Sequence, residues 1–143
     1  MTWGFLDTRA GVTAAELAAF EAGAGIRFPP QYRAFLMRQN GGGPDRMIAP
    51  DPGVGRDVSC FFQLYRRDRS DPLPDLNGKI GQELLWIAND SGGGVYGIIH
   101  QGQRFGQIVW FDLPHSEVDW PKAEACLAVS DGFDMFFASL RPI

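Results

Sequence analysis

Cysteine and histidine are scarce in this sequence: Cys60, Cys126, His100 and His115 are all there is. Two thiols that far apart exclude a disulfide framework and a metal knuckle, and a reduced, cytoplasmic setting is the expectation. No H-x-x-x-H, C-x-x-C or D-x-D spacing gathers three metal ligands, so neither a metal nor another cofactor is expected. The G-x-S-x-G elbow of a serine nucleophile is missing as well. So is any apolar run near the roughly 20 residues that span a bilayer. The opening MTWGFLDTRAG has neither the cationic nor the apolar region of a secretory signal.

What is there is a globular composition. Of 143 residues 45% are hydrophobic and 11 are Phe, enough for one domain over residues 1–143 with a single buried core. The net charge of −4 is unevenly spread: residues 27–69 carry eight Arg against four Asp, and residues 70–143 carry ten acids against four bases. An acidic C-terminal half argues against nucleic acid and for a basic protein partner.

The first third patterns as two helices. Thr13 and Glu16 have capping-box spacing, and Val12 can staple onto Leu17. Leu17, Phe20 and Ala24 mark one face before Gly23 and Gly25 end the helix. Pro30 suits the first position of a second helix, Tyr32, Phe35 and Leu36 give its buried stripe, and Asn-Gly-Gly-Gly-Pro at 40–44 stops it. Then the period changes. Residues 58–65 (VSCFFQLY), 84–89, 95–100 and 107–112 are short runs rich in β-branched and aromatic residues, with 47–49 as an edge strand and 125–129 ambiguous. Residues 66–78 (RRDRSDPLPDLNG) read as a long polar loop, a candidate contact region. Phe133, Phe136, Phe137 and Leu140 space a last helix, with Ser130 as its N-cap and Pro142 as its terminator. The order predicts an α+β domain: two N-terminal helices, an antiparallel sheet of four to six strands, and a C-terminal helix.

Gly92, Gly94 and Gly97 form a literal G-x-G-x-x-G after an apolar strand. A dinucleotide fingerprint needs a helix to open there, so that the pyrophosphate rests on its N-terminus. Val-Tyr-Gly-Ile-Ile-His comes next instead, β-branched and aromatic, and Gly102 breaks it within a few residues. The triple glycine reads as a turn between strands, and nucleotide binding is not expected.

The same segments resemble a known family. T-x-x-E-L-x-x-F-E, then G-I-x-F-P-x-x-Y-R-x-F-L, then N-G-G-G-P run through residues 12–43; G-G-G, a strand and G-x-I-V-W-F-D (106–112) come after, then S-x-G-F-x-x-F-F-A-S-L over 130–140. This order resembles the SUKH superfamily, which contains a fungal cell-wall-assembly regulator and many bacterial immunity proteins. The resemblance implies an α+β fold and, for most bacterial members, neutralisation of a toxin by direct binding. Two places depart from the family pattern. Val95 stands where relatives often carry an acid after the glycines, and Leu113 and Pro114 where they often carry His and Glu.

Three classes of function are therefore in play. The first is a non-catalytic protein-binding module, an immunity protein that neutralises a cognate toxin; the second is a regulatory or scaffolding protein related to cell-wall assembly. A small hydrolase is the third, and the residues argue against an enzyme. Cys60 lies in an apolar strand and reads as an inert thiol, as does Cys126. Glu83, Asp90 and Asp112 read as strand-end or turn carboxylates. Binding has more material: Trp86, Tyr96 and Trp110 fall on three successive strands, with Asp90 and Asp112 at strand ends beside them. Together these five residues are the candidate contact set, an acidic and partly exposed rim around an aromatic centre suited to a basic toxin surface.

Overall fold

A computed structural model describes residues 4–50, 56–112 and 121–142. In chain order the elements are β1 (Phe5–Ala10), α1 (Ala14–Ala24), α2 (Pro30–Arg38), β2 (Gln39–Pro44), β3 (Ile48–Ala49), β4 (Cys60–Phe61), β5 (Leu84–Asn89), β6 (Val95–Ile99), β7 (Ile108–Phe111), β8 (Leu127–Ser130), α3 (Phe133–Ser139) and β9 (Arg141–Pro142). Seven strands form one antiparallel sheet in the order β1-β2-β4-β5-β6-β7-β8, and β3 pairs with β9 in a separate ribbon. The fold is α+β, as the sequence predicts, and the large sheet has seven strands where four to six were expected. His115, Leu113 and Pro114 lie outside the described residues.

The helices form where the local signals placed them. Thr13 Oγ1 accepts from Glu16 N and Glu16 Oε1 accepts from Thr13 N, closing the capping box; Gly25 ends α1 in the left-handed region at φ 71°. Pro30 opens α2, and Tyr32, Phe35 and Leu36 are buried. The third helix departs from expectation at its start. Its N-cap is Gly132 with no side-chain cap of its own, and Ser130 Oγ donates to Gly132 O instead of capping. Gln31, from α2, accepts from Asp134 N at 3.0 Å and so caps α3 across the interface. Pro142 lies in β9, two residues beyond the helix's own C-cap.

An aromatic cluster joins the helices to the sheet. Phe35 of α2 lies 5.0 Å from Phe133 of α3 and 5.4 Å from Phe61 of β4, while Phe136 of α3 lies 5.3 Å from Tyr96 of β6. Burying large rings in this way dominates the stabilisation of so small a domain. Phe133, Phe136 and Leu140 are all essentially inaccessible, so the i, i+3, i+7 stripe of the last helix faces this cluster.

Three strands escaped the sequence pattern: β9, where Pro142 was expected only to end the helix, and two strands of the large sheet. β1 carries no clean alternation, and β2 (Gln-Asn-Gly-Gly-Gly-Pro) reads as a helix stop, yet it lies inside the sheet between β1 and β4. Close approach of its neighbours explains the glycines. A Cβ on Gly42, whose φ is +135°, would stand 2.2 Å from Asp7 O; one on Gly41, φ +76°, would stand 2.7 Å from the carbonyl oxygens of Phe61 and Phe62. The expected strand over 58–65 shrinks to Cys60–Phe61, because Gln63 leaves β5 and bridges residues 74–76 instead: Gln63 N donates to Pro74 O and Leu76 N to Gln63 O.

The loop over residues 66–78 is anchored through its second half, while residues 66–70 stay exposed. Leu73 and Leu76 are buried, and Gln63 Nε2 donates to Leu73 O at 2.8 Å. Arg9 of β1 grips Asp71 with two parallel bonds, Nε at 2.7 Å and Nη2 at 2.5 Å, and this guanidinium holds the Asp71 carboxyl well below the usual carboxylate range. Among the described residues no helix is long and apolar enough to cross a membrane.

The glycine strand supplies a sharp test. Gly42→Ala should cost at least ~3 kcal/mol in urea unfolding, from left-handed strain together with overlap on Asp7. By contrast, Gly43→Ala should stay within about 1 kcal/mol, because a Cβ there meets Ser59 O at an ordinary 3.6 Å. Equal losses would contradict the close-approach account.

Candidate partner-binding face

The hairpin between β5 and β6 is built around one carboxylate. Asp90 closes β5's end, and its Oδ1 accepts from Gly92 N at 3.0 Å and Gly94 N at 2.7 Å, an Asx-type arrangement that folds the turn on itself. Oδ2 accepts from Trp110 Nε1 of β7 at 2.8 Å. All three donors are spent on one side chain that is 8% exposed. The expectation of Asp90 as a partly exposed rim charge is therefore corrected: both of its oxygens are turned inward to hold the turn and the indole.

The formal G-x-G-x-x-G finds its explanation in the same place. Val95–Ile99 is strand, so no helix N-terminus comes after the glycines. A Cβ on Gly94 would stand 2.5 Å from Asp90 Oδ2 and 2.7 Å from the Trp110 ring, and one on Gly97 would stand 2.7 Å from Trp86. Both glycines make room for side chains, not for a pyrophosphate.

Register decides where the three aromatics go. Trp86 pairs with Gly97, and Tyr96 pairs with Trp110. Side chains alternate along β6, so Trp86 and Tyr96 lie on opposite faces of the sheet. Trp86 stacks on Phe111 at 6.4 Å, on the face away from Tyr96. Tyr96 is wholly buried beneath α3, and its hydroxyl donates to Asp57 O at 3.0 Å. Trp110 alone is half-buried, with the Arg56 guanidinium 4.3 Å above its ring. The predicted set is thus split: Trp110, Asp90 and Asp112 come together around a shallow pit of about 280 Å³, while Trp86 and Tyr96 belong to the core.

Two residues of this pit carry no signal in the sequence. Arg56 and Asp57 precede β4, and Asp57 Oδ1 accepts from both Ser91 N and Ser91 Oγ at 2.9 Å, tying the hairpin to the approach to that strand. Beside the pit, and sharing Arg56 with it, runs a larger groove of about 570 Å³ between β8 and α3. Leu127 and Val129 of β8 and Met135 of α3 line it, with Pro50 and Tyr96. Leu127 is 49% and Met135 63% exposed, which leaves apolar surface open to a partner.

The chemistry-bearing residues elsewhere are occupied structurally. Cys60 Sγ donates to Asn89 Oδ1 at 3.2 Å, and burial pushes its thiol up to about 11. Burial likewise pushes Cys126 up to about 11. His100, 6% exposed, bonds Gly81 O through Nε2 at 2.8 Å, and Glu83 Oε1 accepts from Ala123 N at 2.5 Å. Among the described residues no three His, Cys, Asp or Glu side chains gather into a group that could hold a metal ion.

Helices laid over one face of an antiparallel sheet, with a helix pair first and a single helix last, define the class as an α+β domain. Within that class the chain belongs to the SMI1 / KNR4 family (SUKH-1), whose family model matches residues 11–139. No curated protein matches the chain.

Asp90→Ala should cost roughly 3 kcal/mol, since three hydrogen bonds to a charged acceptor are lost and their donors stay near the interior. Near-ultraviolet circular dichroism should report a loosened Trp110. A loss below about 1 kcal/mol, the worth of one ordinary hydrogen bond, would contradict the inward-facing carboxylate.

Proposed function

We propose that this chain is a non-catalytic protein-binding module that neutralises a cognate toxin by direct binding, working in the cytoplasm. The observation that carries the reading is the groove between β8 and α3, walled by the exposed apolar side chains of Leu127 and Met135 and continuous with the Arg56–Trp110 pit. Apolar anchors flanked by charge are what protein interfaces are made of. Family membership supports the same reading, because the resemblance to SUKH proteins implies immunity by binding. Of the five residues picked from the sequence, Trp110 and Asp112 fall to the proposed contact surface, Asp90 holds the Trp110 indole from below, and Trp86 and Tyr96 serve the core. The raised thiol pKa of Cys60 argues against a hydrolase that uses this cysteine, since a nucleophilic cysteine needs a readily formed thiolate.

The test is protection of cells that express a candidate toxin domain from a neighbouring gene. Asp112→Lys should weaken protection while circular dichroism stays native, because reversing a rim charge slows association with a basic surface by about tenfold. Cys60→Ser should protect fully. Full protection by both Asp112→Lys and Met135→Lys would remove this face from the binding site, and loss of protection in a well-folded Cys60→Ser would overturn the non-catalytic reading.

A further inference from the structure

Asparagine followed by glycine is the pair whose backbone can most readily attack its own side chain, because glycine has no Cβ to shield its amide nitrogen. The chain holds two such pairs, Asn40–Gly41 and Asn77–Gly78, and the fold treats them oppositely. Asn40 is 1% exposed, in a strand flanked on both sides, and its Oδ1 accepts from Leu64 N at 2.5 Å. Gly41 is hemmed in by the carbonyl oxygens of Phe61 and Phe62. Asn77 and Gly78 are both exposed, at the tip of a turn closed by Lys79 N donating to Leu76 O at 3.0 Å. Gly78 has φ +76°, and nothing lies within 4 Å of the position a Cβ would take. Among the described residues no hydrogen bond holds the Asn77 side-chain amide or the Gly78 N–H.

We infer that Asn77–Gly78 is a site of spontaneous covalent modification, where the side-chain amide is exchanged for an acid and the backbone is rerouted. The Gly78 nitrogen, giving its proton to base in solvent, attacks the Asn77 side-chain carbonyl carbon. The new N–Cγ bond closes a cyclic imide, the Cγ–Nδ2 bond breaks, and the amide nitrogen leaves as ammonia. Water then opens the imide at either carbonyl. The product is aspartate or, where the main chain now runs through the former side chain, isoaspartate. Water is the only co-reactant, and nothing is oxidised or reduced. Both products carry a new negative charge next to Asp75, whose Oδ1 accepts from Asn77 N at 3.1 Å. Isoaspartate also lengthens the backbone between two anchored residues. Leu76 is buried and its N donates to Gln63 O, while Lys79 O accepts from Trp86 N, so the Lys79 N to Leu76 O bond takes the strain. At Asn40 the same reaction requires the sheet to open, and a group that reacts only from an open state is slowed by the rarity of that state. The chemistry is independent of the binding function proposed above.

The test is incubation of the full chain in mildly alkaline buffer, native and in urea, read by peptide mapping and by isoaspartate-specific methylation. In the native chain, conversion of amide to acid should be at least about a hundredfold faster at Asn77 than at Asn40, since buried sheet opens rarely. In urea the two rates should agree within about threefold, because both pairs are then Asn-Gly in open chain. The native rate at Asn77 should rise with pH, as the attacking nitrogen must lose its proton. In the isoaspartyl product the Lys79 amide should exchange about fivefold faster, the worth of one ordinary hydrogen bond. Asn77→Gln, at an exposed position whose side chain makes no bond, should abolish the conversion and leave the fold intact. Conversion of Asn77 in urea but not in the native chain would overturn the inference, by showing that the turn itself protects the pair. Equal native rates at Asn40 and Asn77 would overturn it as well, by removing burial as the selecting cause.

Discussion

One carboxylate organises the corner of the sheet where β5, β6 and β7 meet. Asp90 gathers two backbone N–H groups of its own turn and the indole N–H of the strand two places away in sequence order, so β5, β6 and β7 are locked at one corner. A carboxylate accepting several donors in a partly buried site is worth more than the same bonds in water, and each donor left unpaired there is costly. The geometry around the pit depends on that anchor. Gly94 must lack a Cβ because Asp90 and Trp110 occupy its space, and the fixed indole gives Arg56 a ring to cover. Asp57 then binds Ser91 and accepts from Tyr96 through its carbonyl, which ties the approach to β4 onto the same corner.

The remainder of the molecule divides its labour by face and by edge. Aromatic rings from α2, α3, β4 and β6 fill the interior on one side of the sheet, and Trp86 stacks with Phe111 on the other. Stability is thus vested in rings that are largely buried. At one edge, β1 is charged, bulged and strapped to residues 66–78 by Arg9 and Asp71. At the other, β8 keeps an apolar, uncharged margin beside the groove. Among the described residues the two edges are thus unlike, one charged and bulged and the other uncharged.

Much of this was legible in the residues. Periodicity located all three helices and the strands β5, β6 and β7, because a 3.6-residue apolar stripe and a β-branched run survive any tertiary context. Capping chemistry placed the start of α1. The triple glycine at 92–94 was readable as a turn because the β-branched and aromatic residues after it cannot open a helix. Its twin at 41–43 misled for a physical reason: glycine is a local breaker, and only the crowding of Asp7 and Phe61 against it turns it into a strand. Asp90 and Trp110 could be picked out as residue types at strand ends, but their mutual bond depends on register between β6 and β7, which no local pattern encodes. Arg56 and Asp57 were invisible for the same reason, and the groove is a property of β8 meeting α3, elements that the sequence left ambiguous or placed with a different cap.

Coupling between Asp90 and Trp110 is where the account is most exposed. A double-mutant cycle with Asp90→Ala and Trp110→Phe, read by urea unfolding, isolates the bond that joins the hairpin to β7. The account predicts a coupling energy of about 2 kcal/mol, the range of a hydrogen bond to a charged group. Additive losses, with no coupling between the two positions, would contradict it.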